Sequence, residues 1–331
     1  RKMAKRPMTA AEAKANRFQR TAHAKINLCL HVTGRRSDGY HMLDSLVGFA
    51  AFGDQISIEP AETDIFEIRG TFGASLGEQL PEQNLVIRAR DWLRARHERE
   101  GSGTTPARIS LNKKLPVAAG IGGGSADAAA TLAVLARFWQ TPAQWLEDRE
   151  IIAAELGADV PMCLHQSPLR VTGIGETLAL WHNVPMLPCV LVNPNVPIST
   201  PEVFATLSNR NNSPLDGMPP SFTNRLALAD WLAKQTRNDL QEAAESLCPT
   251  IIDCIKALER TNALLARMSG SGASCFGLYD SIEGAQLAAS AIAQAEPEWF
   301  VKATAILPSP PQRDEDYETW VESMNLVRSL H

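Results

Sequence analysis

The chain has few of the features that mark disulfide-rich or zinc-binding proteins. Its six cysteines are scattered over 331 residues, and no two of them are spaced as Cys-x-x-Cys. Disulfide scaffolds are short and cysteine-dense, and structural zinc sites use cysteines in close pairs, so neither class fits. The seven histidines show no His-Glu-x-x-His spacing, so none is a predicted metal ligand. We therefore expect buried free thiols in a reducing compartment.

Long apolar runs and a one-signed charge are also missing. No uninterrupted apolar run approaches the roughly 20 residues that cross a bilayer. The first 20 residues are basic and alanine-rich but lack the apolar stretch of a secretory signal. A formal net charge of -5 gives no reason to expect a nucleic-acid or membrane partner. We expect a cytoplasmic globular protein that acts on a small molecule.

The patterns along the chain predict two α+β domains. Apolar and polar residues alternate from Ala22 to Val32, which predicts a half-buried strand with Lys25 and Asn27 on one face. Helical patterns follow from Asn84 to Arg99 and from Ala143 to Leu156. The length suits two domains of roughly 100 to 200 residues each. The predicted organisation is an extension at 1–20, a first domain at 21–170, a second at 171–308 and a tail at 309–331.

A glycine-rich loop from Gly120 to Ser125 is the most specific feature. Glycines let a ligand approach backbone N–H groups, and the helix predicted from Ser125 to Trp139 adds its positive dipole end. The loop predicts an anion site, with a purely structural loop that caps a helix as the alternative. It is not a P-loop, because no Gly-Lys-Ser/Thr follows, and Ser125 replaces the third glycine of the dinucleotide fingerprint. Asp127, in the first helical turn, would repel a phosphate unless it points away.

Two charged residues and a second small-residue loop complete the candidates. Phosphoryl transfer needs a group that accepts or positions the hydroxyl proton and a cation that holds this base and the developing charge. Asp159 follows the predicted helix cap Gly157, and Pro161 is expected to prevent helix from continuing there. Asp159 could serve with Lys25, although base rates favour a turn aspartate and a solvated lysine when each is taken singly. The loop from Ser269 to Gly272 is either a hairpin connection or a second place where backbone approaches a ligand.

These motifs resemble, in the same order, those of the GHMP kinase superfamily. The resemblance runs from Ala22 to Leu307 and rests on the segments Ala24 to Leu28, Asp38 to His41, Asn84 to Val86, Leu115 to Ala126, Leu156 to Pro161, and Met268 to Gly272. It implies an α+β fold with an S5-like first domain and a ferredoxin-like second domain. It further implies an ATP-dependent small-molecule kinase that uses Mg²⁺, with no protein ligand of the metal identified.

The resemblance also assigns roles to individual residues. Lys25 and Asp159 are the implied catalytic pair. ATP would lie along Pro116, Val117, Ala118, Ala119, Gly120, Ile121, Gly122, Gly123, Gly124, Ser125 and Ala126, with Asn84 and Lys113 near its adenine end. Ala118 and Ala119 stand where many relatives carry glycine. A cytidine-diphosphate sugar alcohol would face Asn27, Tyr40, His41, Thr200 and Phe204.

Two alternatives stay open at the level of the sequence. One is a GHMP kinase that acts on another small alcohol, such as homoserine or mevalonate. The other is a nucleotide-binding module without enzymatic activity. Tyr40 and Phe204 distinguish the first alternative, because an alcohol without a nucleobase does not need stacking aromatics. The pairing of Asp159 with Lys25 argues against the second.

Overall fold

The computed structural model describes residues 18–76, 81–117, 119–222, 224–310 and 324. Strands and helices alternate irregularly along these residues. The strands are β1 (Gln19–Arg35), β2 (His41–Pro60), β3 (Ile65–Arg69), β4 (Ala107–Asn112), β5 (Leu169–Gly173), β6 (Thr177–Leu180), β7 (Leu187–Asn193), β8 (Leu265–Met268), β9 (Cys275–Leu278) and β10 (Phe300–Ile306). The helices are α1 (Leu85–Arg99), α2 (Gly123–Phe138), α3 (Arg149–Leu156), α4 (Val160–His165), α5 (Thr200–Thr206), α6 (Arg225–Gln235), α7 (Gln241–Leu247), α8 (Thr250–Arg260) and α9 (Ile282–Ala295).

The first half of the chain is organised around the long strand β2. This strand pairs antiparallel with β1, β4 and β5, while β3 runs parallel to β4 and β6 pairs with β5. Helix α2 packs on β1 and β2 and against α1. Its alanine-rich face allows this close approach, and Ala128, Ala130 and Leu132 are fully buried there.

The second half forms an antiparallel set of strands in the order β10, β7, β9, β8. Helix α8 packs on β8 and β9, and α9 packs on β7 and β10. The two halves join through β10, because Ile306 pairs with Ala50 of β2 and the N–H of Leu307 donates to the carbonyl of Phe49 at 2.8 Å. Residues of both halves therefore share one continuous core.

The predicted domain boundary at residue 170 falls inside β5. All five residues of β5 pair with β2, and four of them also pair with β6, so both strands continue the first sheet. Strand β7 is the first whose partners, β9 and β10, lie in the second half. We propose that the first domain extends through Leu180, ten residues beyond the predicted boundary.

Strand β1 is buried on both faces, so the prediction of a half-buried strand is wrong. Cys29 and His31, on the predicted polar face, are as inaccessible as Leu28. Elements of the second half cover this strand: the N–H of Leu30 donates to the carbonyl of Arg237, and the Arg267 guanidinium donates to that of Leu28. The alternation of apolar and polar residues along one strand does not show whether distant parts of the chain bury its polar face.

The helices near the glycine loop also differ from the prediction. Helix α2 begins at Gly123 rather than Ser125, and the single helix predicted from Ala143 to Leu156 is split into a short 3₁₀ turn (Ala143–Leu146) and α3. Pro161 does not end helical structure but lies in the first turn of α4. A proline fits there because its missing N–H has no intrahelical partner at that position.

Candidate active site

The glycine-rich loop is held between β1 and the second small-residue loop. The N–H of Lys25 donates to the carbonyl of Ile121 at 3.0 Å, and the N–H of Ser274 donates to that of Ala119 at 3.2 Å. Gly120 has a φ of +71°, and a Cβ atom there would lie 2.4 Å from the carbonyl oxygen of Gly272. The two loops thus pack backbone against backbone, an approach that only glycine permits at this position.

A cavity of about 350 Å³ opens at the N-terminus of α2. Ten of the predicted nucleotide-site residues line it: Asn84, Lys113, Pro116, Val117, Ala119, Gly120, Gly122, Gly123, Gly124 and Ser125. Ile121 and Ala126 are not in the lining, since both side chains are buried in the core. Ala118 lies outside the described residues. The lining also includes residues that the sequence did not single out as ligands: Leu76, Gln83, Leu85, Val86 and Asp127.

Asn84 has a structural role at the edge of this cavity. It is the N-cap of α1, and its Oδ1 accepts a hydrogen bond from the N–H of Val86 at 2.9 Å. The side chain is therefore fixed, because a cap of this kind satisfies one of the unpaired N–H groups of the first turn.

Lys113 joins two carboxylates beneath the glycine loop. Its Nζ lies 2.5 Å from Oδ2 of Asp54 and 2.8 Å from Oδ2 of Asp127. Oδ1 of Asp54 accepts hydrogen bonds from the N–H groups of Lys114 and Leu115. We call Lys113, Asp54 and Asp127 the buried triad, since each is at most 3% exposed.

Electrostatics in the buried triad explain how Asp127 is tolerated near a phosphate site. Burial lowers the pKa of Lys113, but the two carboxylates outweigh this effect and leave the pKa raised. Burial, together with the charge of Asp54, raises the pKa of Asp127 well above its ordinary value. Asp127 is bound to the Lys113 cation, so it does not act as the bare repelling charge that the sequence suggested.

Lys25 and Asp159 meet as an ion pair, with 2.6 Å between Nζ and Oδ2. Strand β1 supplies the lysine, and the turn after Gly157, which has a φ of +127°, supplies the aspartate at the start of α4. The lysine side chain is 10% exposed and the aspartate side chain 38%. Burial lowers the pKa of Lys25, but attraction and hydrogen bonding to Asp159 outweigh it and leave the pKa raised. Lys25 is consequently a cation at neutral pH.

A second cavity, of about 230 Å³, has this ion pair in its wall. Among the predicted substrate residues, Asn27, Thr200 and Phe204 line it. Gly120 and Gly122 line both cavities, so the two meet at the glycine loop. The second small-residue loop contributes Gly270 and Ser271, as one of its two predicted roles requires. The sequence missed the rest of the wall: Leu30, Leu43, Ser45, Val47, Met162, Val171, Ile174, Gly175 and Leu240. These come from strands, turns and the short helix α4, with no local signal for a site.

The predicted aromatic group is only partly assembled. His41 stacks on Phe204, with 4.6 Å between ring centroids and 23° between ring planes. Burial, with the nearby Arg35 and Arg210, lowers the pKa of His41, so its ring is neutral at pH 7. Tyr40 is 61% exposed. Neither Tyr40 nor His41 is in the cavity lining, and His41 covers one face of Phe204.

Two family profiles match this chain. The profile of the GHMP kinases N terminal domain matches residues 84–167, and that of the GHMP kinases C terminal matches residues 223–297. A 4-diphosphocytidyl-2-C-methyl-D-erythritol kinase of Chelativorans sp. (strain BNC1) is 48% identical over 293 residues, covering 88% of this chain and 97% of the relative. The chain belongs to this family of GHMP kinases. The predicted ATP-dependent kinase class is thereby confirmed.

Solved structures agree with the predicted α+β kinase fold. A 4-(cytidine 5'-diphospho)-2C-methyl-D-erythritol kinase superposes with a TM-score of 0.68 at 29% identity, covering 87% of this GHMP kinase and 99% of the other chain. The homoserine kinase of Cytophaga hutchinsonii superposes with a TM-score of 0.60 at 18% identity, covering 86% and 93%. The latter likeness shows the fold alone. Within the described residues, no helix is long and apolar enough to span a membrane.

Proposed function

We propose that the chain transfers the γ-phosphoryl group of ATP to the 2-hydroxyl of 4-diphosphocytidyl-2-C-methyl-D-erythritol, a step of non-mevalonate isoprenoid precursor synthesis. One observation carries the catalytic part of the proposal. The Lys25–Asp159 pair lies in the wall of one cavity, and that cavity shares Gly120 and Gly122 with the cavity at the N-terminus of α2. An acceptor hydroxyl in the cavity of the ion pair and a phosphate in the cavity at the N-terminus of α2 would therefore meet beside this pair. The name of the relatives supports the choice of substrate.

The chemistry follows from the charges of this pair. The hydroxyl oxygen attacks the γ-phosphorus, the bond from that phosphorus to the β–γ bridging oxygen breaks, and ADP leaves. Asp159, which is partly exposed to the cavity, orients the hydroxyl and receives its proton. Lys25 keeps the carboxylate in place and stabilises negative charge that develops on the transferred group.

We propose that the phosphates of ATP lie against Gly120 to Ser125. The backbone N–H groups there and the first turn of α2 supply donors and a positive dipole end. Lys113 has two of its three N–H bonds directed at carboxylates. We therefore assign it to the support of the loop from below, and not to direct contact with adenine.

Magnesium fits this site as part of the nucleotide. The described residues contain no group of three or more His, Cys, Asp or Glu side chains that could hold a metal ion. Mg²⁺ commonly keeps several waters and binds through substrate phosphates. We propose that it arrives as the ATP complex and neutralises phosphate charge there.

The test is a coupled assay of ADP release with a panel of acceptor alcohols: the cytidine-diphosphate sugar alcohol, homoserine and mevalonate. We expect turnover with the cytidine compound only. Asp159→Asn should lower kcat about 10²- to 10⁴-fold with ATP affinity unchanged, because a positioned base is lost while the loop is intact. Asp230→Asn, at an exposed surface ion pair, is the matched control and should behave as the parent. Turnover of homoserine or mevalonate alone would refute the proposed substrate, and an Asp159→Asn rate within a few-fold of the parent would refute the mechanism.

A further inference from the structure

In the side-chain amide of Asn27, the NH₂ group is hydrogen-bonded and the oxygen is not. Its Nδ2 donates to Oγ of Ser45 at 2.8 Å. Its Oδ1 is buried and has no hydrogen-bond partner among the described residues. A Cβ atom on Gly270 would lie 3.2 Å from this oxygen, so Oδ1 lies beside the second loop, and Asn27 and Gly270 both belong to the cavity wall.

The hydroxyl of Ser45 determines which end of the Asn27 amide forms a hydrogen bond with it. Ser45 is 2% exposed and has a single hydrogen to donate, which it gives to the carbonyl of Cys29 at 2.6 Å. Oγ of Ser45 can then only accept, and it needs a donor in front of it. Of the two ends of the Asn27 side chain, only the NH₂ group is a donor. The carbonyl end must therefore point away from Ser45.

We propose that Ser45 is a positioning residue that fixes the amide of Asn27 so that a hydrogen-bond acceptor, and not a donor, faces the substrate cavity. An acceptor at that point selects a ligand that presents a hydroxyl or N–H there. The inference rests on the proposed function for the identity of the ligand as an alcohol. The orientation of the amide rests only on the contacts of Ser45, Cys29 and Asn27.

The chain offers a substrate-independent test of this orientation. In ¹⁵N spectra of enzyme labelled at asparagine, the side-chain NH₂ of Asn27 is identified by its loss in Asn27→Ala. We expect it to be protected from solvent exchange in the parent and in Ser45→Thr, which keeps the hydroxyl. In Ser45→Ala we expect the protection to be lost. Equal protection in Ser45→Ala and the parent would overturn the proposal, whether or not the enzyme phosphorylates the cytidine compound.

Kinetics test whether the orientation matters for the acceptor. Ser45→Ala should raise the KM for the alcohol about 3- to 10-fold, the usual range for one hydrogen bond, with the KM for ATP unchanged. In the Asn27→Ala background, Ser45→Ala should have no further effect, because Ser45 acts through Asn27. Ser57→Ala, on the same strand but outside the cavity lining, is the control.

The kinetic outcomes separate the two proposals. Additive losses from Ser45→Ala and Asn27→Ala would overturn the positioning role while leaving the kinase function intact. Absence of turnover in the parent with every alcohol of the panel would refute the proposed function, and the NMR measurement would still decide the orientation of Asn27.

Discussion

Replacing Lys113 with methionine tests how strongly the buried triad holds the glycine loop. The substitution keeps most of the side-chain volume but removes the cation that joins Asp54 and Asp127, which are 0% and 3% exposed. Breaking a buried ion pair by removing one partner costs about 3 to 5 kcal/mol, because a charge is left buried without compensation. Asp54 keeps its two backbone N–H donors, so the damage should be concentrated on Asp127.

The loss of unfolding free energy in Lys113→Met should become larger as pH rises. In Lys113→Met the carboxyl group of Asp127, whose pKa burial already raises, should have a pKa above that of an unfolded aspartate, about 3.9. The folded state then binds more protons than the unfolded state, so stability falls as pH rises through the raised pKa. We expect the full loss at pH 8 and a smaller loss near pH 5.

Urea unfolding followed by tryptophan fluorescence at the two pH values measures this loss. Lys234→Met is the matched control, because Lys234 forms an exposed i,i+4 pair with Asp230 and such pairs contribute about 0.3 to 0.5 kcal/mol. Lys113→Met with Asp127→Asn should recover part of the stability, since it removes one of the two buried charges. A loss no larger than that of Lys234→Met, or one that is the same at both pH values, would refute the electrostatic account of the buried triad.

Three further outcomes are expected. Gly120→Ala should weaken ATP binding at least about tenfold by calorimetry, because the new Cβ would meet backbone at 2.4 Å at a φ of +71°. Gly103→Ala is the control and should bind ATP normally, because its Cβ would meet nothing within 4 Å and Gly103 is in neither cavity lining. Tyr40→Ala and Phe204→Ala should each weaken binding of the cytidine substrate about 5- to 150-fold. Phe204→Ala should also lower Tm, because its ring packs on His41. A normal KM for the cytidine substrate in both variants would refute the stacking role. Burial and the charge of Arg237 lower the pKa of His31, so the unfolded state binds more protons below pH 6.5. The free energy of unfolding should therefore fall as pH drops through that value. If this pH dependence is unchanged in His31→Gln, another group is responsible.

Local sequence signals predicted the parts of the site that depend on local structure. The loop from Gly120 to Gly124, the helix that follows it and the turn before Asp159 each carry glycine or proline at defined positions. The contact between Lys25 and Asp159, 134 residues apart, could be expected only from the resemblance to the kinase superfamily. Spacing along the chain does not determine which distant charges meet.

The supporting residues could not be predicted because nothing distinguishes them locally. Asp54 lies in strand β2 between Gly53 and Gln55, where an aspartate is expected to be a surface charge, yet it is fully buried against Lys113. Ser45 lies in a strand whose face toward Asn27 becomes a cavity wall only when the second half of the chain covers it. Burial of such polar residues is a tertiary property, and it is tolerated because each finds a hydrogen-bonding partner.

The backbone of β1 explains how one strand serves both cavities. Its pairing with β2 shifts register between His23 and Lys25 and again between Asn27 and Cys29. Between these irregularities, the N–H of Lys25 binds the glycine loop and the N–H of Asn27 donates to Oγ of Ser269 in the second loop at 3.0 Å. A regular antiparallel ladder would direct alternate N–H groups to the partner strand, whereas bulges change their direction locally. Lys25 and Asn27 therefore anchor both loops through their backbone and also line the second cavity with their side chains, so a shift of either loop would move this part of β1 and Lys25 with it.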